Sequence, residues 1–167
     1  IYMIMGGIPY YLDMLDPELS VNRNIDELFF ASNAPLRAEY EFLFRSLFSN
    51  SDRYRKVVEI LSQKLKGMTR KEILETLKSD GGSLSKVLED LSACDFIRSY
   101  SAIGKKSKSC IYQLTDLFCL FHIRFVTNER EQDEHYWTNL PEGMKNAWSG
   151  YAFEQVCLHH IPQIKNK

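Results

Sequence analysis

The chain has no G-x-x-x-x-G-K-[ST] loop, the backbone cradle and lysine that hold nucleotide phosphates, and no evident acidic Mg²⁺-binding strand. Alone it is not expected to hydrolyse ATP. It has no CxxC pair. Cys94, Cys110, Cys119 and Cys157 stand far apart, three of them in apolar patterns. They read as buried, reduced thiols, which suits a cytoplasmic protein. Long hydrophobic runs are missing: the longest, Leu117 to Val126, is interrupted by His122 and Arg124. It is far too short to span a bilayer, and no signal peptide precedes it, so no membrane partner is expected. No nucleophile–base pair stands out. The adjacent His159 and His160 would point about 100° apart on a helix, so they cannot chelate one ion together.

What is present is an ordinary globular composition, 44% hydrophobic and 26% charged over 167 residues. That is enough for one domain or two small ones. The formal net charge of -1 points to no polyanionic partner. The distribution says more. Asp52 to Lys108 holds 13 Lys and Arg against 8 Asp and Glu, whereas the remainder holds 8 against 14. A basic module between acidic flanks points to an anionic partner.

That module carries the clearest pattern. Tyr54, Val57, Val58, Leu61 and Leu65 form one apolar stripe, predicting a helix over Tyr54 to Leu65 that Gly67 ends. Thr69-Arg70-Lys71-Glu72 is a capping box opening a second helix, in which Ile73, Leu74 and Leu77 face the core. Asp80-Gly81-Gly82 makes a turn. A third helix follows from about Ser83 to Ala93, with Leu84, Val87, Leu88 and Leu91 on one face. Phe96 to Ala102 and Ser109 to Leu114 read as strands, the second alternating cleanly. Gly104 to Lys108 joins them as a basic loop. The predicted fold class is mainly α: a winged helix-turn-helix, three helices plus a β-hairpin wing, flanked by helical segments.

The flanks read as parts of other units. Pro9 suits the first turn of a helix continued by Tyr10, Tyr11, Met14 and Leu15. Ser20 to Phe30 reads as a loop into a helix that Asn24 or Asp26 could cap, and another helix spans roughly Leu36 to Phe48. After the hairpin, Thr115 and Asp116 can cap a helix that is apolar almost all round. Thr127 to Gly143 reads as a linker with one short helix, anchored by Trp137 and Leu140 and broken by Pro141. Its acidic part, Glu129 to Trp137, is equally readable as a partner site. A last helix is expected from Ala147, with Trp148, Tyr151, Phe153, Val156, Cys157 and Ile161 able to bury.

Several stretches also carry a family resemblance. Gly6-Gly7-Ile8-Pro9-Tyr10-Tyr11-Leu12 looks like the lid-subdomain motif of STAND-type and archaeal-type AAA+ ATPases, in which the proline packs on the adenine. With Phe96-Ile97, Tyr112 to Asp116, Phe121 to Val126 and Trp148 to Glu154 in order, nearly the whole chain is similar to the carboxy-terminal half of archaeal-type ATPases. Those proteins carry a nucleotide-binding domain, a lid, a winged helix and a domain of unknown function resembling PD-(D/E)xK nucleases. The resemblance implies three segments: 1–50 a lid remnant, 51–114 the winged helix, and 115–167 a linker helix and the opening helix of the nuclease-like domain. It implies that Pro9 and Gly7 lie on the adenine side of a nucleotide. It also implies ATP and Mg²⁺ as cofactors of the parent protein, with none expected for this chain alone. Glu154 matches a glutamate that helps hold metal in active nucleases, though only alongside carboxylates and a lysine from the missing domain. Read without the resemblance, it is an exposed helix glutamate. Phe121-His122 departs from the usual Phe-Trp, a change in packing. The chain is accordingly read as a fragment, whose partners include the missing ATPase and nuclease-like domains.

For double-stranded DNA, cations on phosphates supply affinity and a helix in the major groove supplies specificity. Lys105, Lys106 and Lys108 with Arg98 suit phosphates, as do Arg70 and Lys71. Ser83, Ser85 and Lys86 open the third helix, where base contacts are normally made. Glu89, Asp90 and Asp95 bring opposing charge to the same element. Two alternatives therefore stand: a protein-docking or intramolecular relay module, and a free-standing transcription regulator.

Overall fold

A computed structural model describes residues 1–78, 81–101, 110–127 and 133–165. The described residues are mainly helical, with one small sheet. In chain order the first helices are α1 (Tyr2–Met5), α2 (Pro9–Leu12), α3 (Val21–Ile25), α4 (Glu39–Leu47) and α5 (Ser51–Ser62). Strand β1 (Met68–Thr69) precedes α6 (Arg70–Leu77) and α7 (Leu84–Ala93). Then come β2 (Ile97–Ser101), β3 (Cys110–Leu114), α8 (Leu117–Phe121), α9 (Tyr136–Asn139), α10 (Glu142–His159) and α11 (Ile161–Lys165). Both α3 and α8 widen into a π-turn, Asp26–Phe30 and His122–Val126. The chain divides into two compact units, one of Ile1–Glu39 with Arg124–Lys167 and one of Tyr40–Ile123.

The first unit is helical. Along α10, Lys145, Trp148, Ala152 and Gln155 are buried, a stripe with the period of a helix. The Phe125 ring meets Trp137 and Trp148 edge-on, at 5.4 and 5.6 Å, an arrangement worth about 0.5–1.5 kcal/mol per pair beyond its buried area. Asp26 is fully buried, and its carboxylate closes the start of α9. Oδ1 accepts from the Trp137 amide at 2.8 Å and the Thr138 amide at 3.3 Å, while Oδ2 accepts from the Thr138 hydroxyl. Burying a carboxylate is costly unless its lone pairs are met, and these donors meet them. The expectation that Asn24 or Asp26 caps α3 fails. Ser20 is the cap, and the Asn24 amide instead donates to the carbonyls of Asp16, Leu19 and Ser20.

The linker holds the one expected short helix, α9, with Trp137 and Leu140 buried. The helix expected from Ala147, α10, starts instead at Glu142, with Pro141 at its N-cap, where a missing N–H costs nothing. Phe153, expected to bury, is 62% exposed on its outer face.

The second unit packs α5, α6 and α7 against the sheet through Val57, Leu61, Ile73, Leu84, Leu88 and Leu91. Helix α5 runs three residues earlier than predicted, and Leu65 lies outside it. The capping box on α6 is formed: Thr69 Oγ1 accepts from the Glu72 amide at 3.3 Å, and Glu72 Oε2 accepts from the Thr69 amide at 2.7 Å. Helix α6 stops at a left-handed Lys78, before the expected breaker, of which Asp80 lies outside the described residues.

The sheet has three strands where two were expected, in the order β1-β3-β2, all antiparallel. Met68 faces Tyr112 in the register, and Ile97 to Ser101 run against Leu114 to Cys110. Gly67 makes β1 possible. Its φ is +85°, and a Cβ there would stand 2.7 Å from both the Tyr112 carbonyl oxygen and Ile111 Cγ2. After β3, Asp116 caps α8 by accepting from the Cys119 amide at 2.7 Å. All five residues of α8 are buried, as expected of a helix apolar all round. His122 is buried and stacks on Tyr40, ring centroids 4.9 Å apart and nearly parallel. Of the thiols expected to be buried, only Cys119 is; Cys94 is exposed, and Cys110 and Cys157 are half-buried.

Candidate nucleic-acid interface

The buried face of α7 (Leu84, Val87, Leu88, Leu91) leaves Ser85, Lys86 and Glu89 on the solvent side, with Gly82 and Ser83 exposed just before it. Two short hydroxyls, one cation and one carboxylate therefore make up this outward surface. Lys86 is not isolated there. Its Nζ donates to Asp90 Oδ1 at 3.0 Å, one turn along the helix. Asp90 Oδ2 accepts from the Tyr54 hydroxyl of α5 at 2.6 Å. The Tyr54 ring is stacked on Phe48, 3.9 Å away and 4° from parallel. These contacts shift the ionisations together. The Tyr54 bond, then the Lys86 bond, holds the Asp90 carboxyl below its usual range. The Asp90 bond raises the Lys86 ammonium and pushes the Tyr54 phenol up to about 12.

The other predicted cations divide. Arg70 is the exposed first residue of α6. Lys71 follows it, 85% exposed and 3.7 Å from Glu75 Oε1. A pair so open to water is worth little and exchanges readily. Arg98 is held: its guanidinium donates to Gln113 Oε1 across the β2–β3 pair at 2.7 Å. The Gln113 amide in turn donates to the Leu65 carbonyl at 2.6 Å. Lys105, Lys106 and Lys108 lie outside the described residues. Lys64 is 2.6 Å from Glu72 Oε1. That contact and the Thr69 bonds hold the Glu72 carboxyl down at about 2.

Elsewhere the predicted residues stand separately. Pro9 is the exposed first residue of α2, next to an open Tyr10, while Tyr11 is buried and donates to Glu39 at 3.0 Å. Gly7 is pressed under the Tyr2 ring, which a Cβ would meet at 2.9 Å. Glu154 is exposed on α10. The His160 ring contacts the Val156 carbonyl at 2.8 Å through Nδ1. Among the described residues no group of three His, Cys, Asp or Glu side chains is gathered for a metal, and no helix is long and apolar enough to cross a membrane.

Tyr54, Asp90 and Gln113 are the polar partners that sequence reasoning did not link to the cations. Only Lys86 to Asp90, four apart on a predicted helix, carried a local signal. No family model, curated protein or solved structure matches this chain.

Proposed function

We propose that the unit Tyr40–Ile123 is a winged helix that binds double-stranded DNA. The observation that carries this reading is the order α5, β1, α6, α7, β2, β3 with the sheet order β1-β3-β2. A two-residue strand before α6 closes the sheet behind two helices, leaving the outer face of α7 open for a groove. In this reading Arg70, Lys71 and the lysines at 105, 106 and 108 meet phosphates, and Ser83 and Ser85 meet base edges, with Lys86 beside them held by Asp90.

We further infer that the module serves in a cytoplasmic protein of the archaeal-type AAA+/STAND class, in which nucleotide state elsewhere gates DNA contact. The residues present fit a nucleotide only in part. Pro9 and Tyr10 offer an exposed apolar wall, but no phosphate cradle accompanies them in this sequence. Glu154 alone does not make a Mg²⁺ site. No catalytic step follows from this chain.

A second reading, a protein-docking or relay module, is favoured by one observation. Lys86 and Lys71 face carboxylates, Arg98 is held by Gln113, and Glu89 shares the α7 surface. Titrating a labelled random-sequence duplex with the whole chain, at low and then moderate salt, separates the two. DNA binding predicts an affinity that falls steeply with salt. No binding at low salt would leave the docking reading.

A further inference from the structure

The Tyr54–Asp90–Lys86 chain has a consequence for the proposed interface, and it rests on the DNA-binding reading. Lys86 is the cation on the solvent face of α7, with its side chain 74% exposed. Its ammonium is nonetheless occupied by Asp90, whose own side chain is 29% exposed. Two exposed partners would part easily, because each side chain regains rotamer freedom and water. Here one partner is fixed. The Tyr54 hydroxyl grips Asp90 Oδ2 at 2.6 Å, and the Tyr54 ring is itself stacked flat on Phe48. A carboxylate held through its other oxygen by a residue of α5 cannot follow the lysine outward. A phosphate approaching α7 must therefore take Lys86 away from a stationary competitor, and it meets the Asp90 charge as it does so.

We propose that Asp90, fixed by Tyr54, is an internal competitor of phosphate for Lys86 that sets how strongly α7 engages a nucleic-acid duplex. In this arrangement Lys86 adds little net charge to the wild-type interface. With Asp90 neutralised, Lys86 becomes free to pair with one phosphate and displace one counterion. Asp90→Asn is the suitable change. The amide oxygen still accepts from the Tyr54 hydroxyl, so the α5–α7 tie is kept while the charge is removed.

The test is a double-mutant cycle in the full chain, using a labelled random-sequence duplex over a range of salt. Circular dichroism melts confirm that each variant is folded. Asp90→Asn is expected to tighten binding about threefold at low salt, the range of a released exposed ion pair. It should also steepen the salt dependence by about 0.9, the slope of one added phosphate contact. Lys86→Ala, made alone and in the Asp90→Asn background, completes the cycle, and in that background it should abolish the gain. A gain that survives without Lys86 would overturn the proposal, because a general loss of negative charge would then explain it. Wild-type binding with no gain in Asp90→Asn would also overturn the proposal and leave the DNA reading intact. Folded variants that all fail to bind at low salt would remove both.

Discussion

Replacing Gly67 by alanine is expected to destabilise the unit Tyr40–Ile123 by about 2–3 kcal/mol. The first part is backbone strain, since an L residue in the left-handed region costs roughly 1–2 kcal/mol, and Gly67 has a φ of +85°. The second part is steric. The new Cβ would stand 2.7 Å from the Tyr112 carbonyl oxygen, and Tyr112 is the residue opposite Met68 in the β1–β3 register. Backbone cannot rotate aside as a flexible side chain does, so relief means spreading the strands and weakening a ladder bond worth about 1 kcal/mol. For a domain of this size each kcal/mol lowers the melting temperature by about 4–8 °C. A drop of roughly 8–24 °C is therefore expected by circular dichroism. Hydrogen exchange at the Thr69 and Ile111 amides should rise along with it. Gly82→Ala is the control, because a Cβ there meets nothing within 4 Å. A Gly67→Ala melt within about 2 °C of wild type would refute the reasoning that a close approach at Gly67 holds β1 in the sheet.

Two further outcomes concern stability. The folded Glu72 carboxyl lies at about 2, below its ordinary 4.5. Its stabilising contribution is thus fully present above pH 4.5 and is lost as pH falls through about 2. Glu72→Gln should melt below wild type at neutral pH and converge with it near pH 2, whereas a gap constant with pH would contradict the Lys64–Glu72–Thr69 geometry. Gly150→Ala, inside α10 with open space around its Cβ position, should stabilise by about 0.5–1 kcal/mol through helix propensity. A lower melting temperature would show that this face is covered.

Local chemistry was legible in the sequence wherever neighbours in the chain decide the outcome. The Thr69–Glu72 box, the stripe of α7 and the Asp116 cap are each settled within about one turn, whereas β3 forms without the expected alternation, Gln113 and Leu114 both being buried. Strand β1 was not legible, because two residues cannot display a period of two. The π-turns at Asp26–Phe30 and His122–Val126 carry the same apolar spacing as α-helix, so composition does not reveal them. The Asp26 cap on α9 joins residues 111 apart, beyond any local pattern. The candidate interface divides along the same line. Exposure of Ser85 and Lys86 follows from the helix period, whereas the Tyr54 grip on Asp90 and the Gln113 hold on Arg98 exist only once α5 meets α7 and β2 meets β3.

The most direct test of the winged-helix reading is the salt dependence of duplex binding for the wild-type chain beside Lys105→Ala/Lys106→Ala/Lys108→Ala. DNA binding through the wing predicts measurable binding at low salt for the wild type. It also predicts weaker binding for the triple variant, with a log–log salt slope shallower by up to about 2.7, three lost phosphate contacts at about 0.9 each. Equal affinities and slopes would contradict the placement of these lysines on phosphates. A folded wild-type chain that fails to bind at low salt would contradict DNA binding itself.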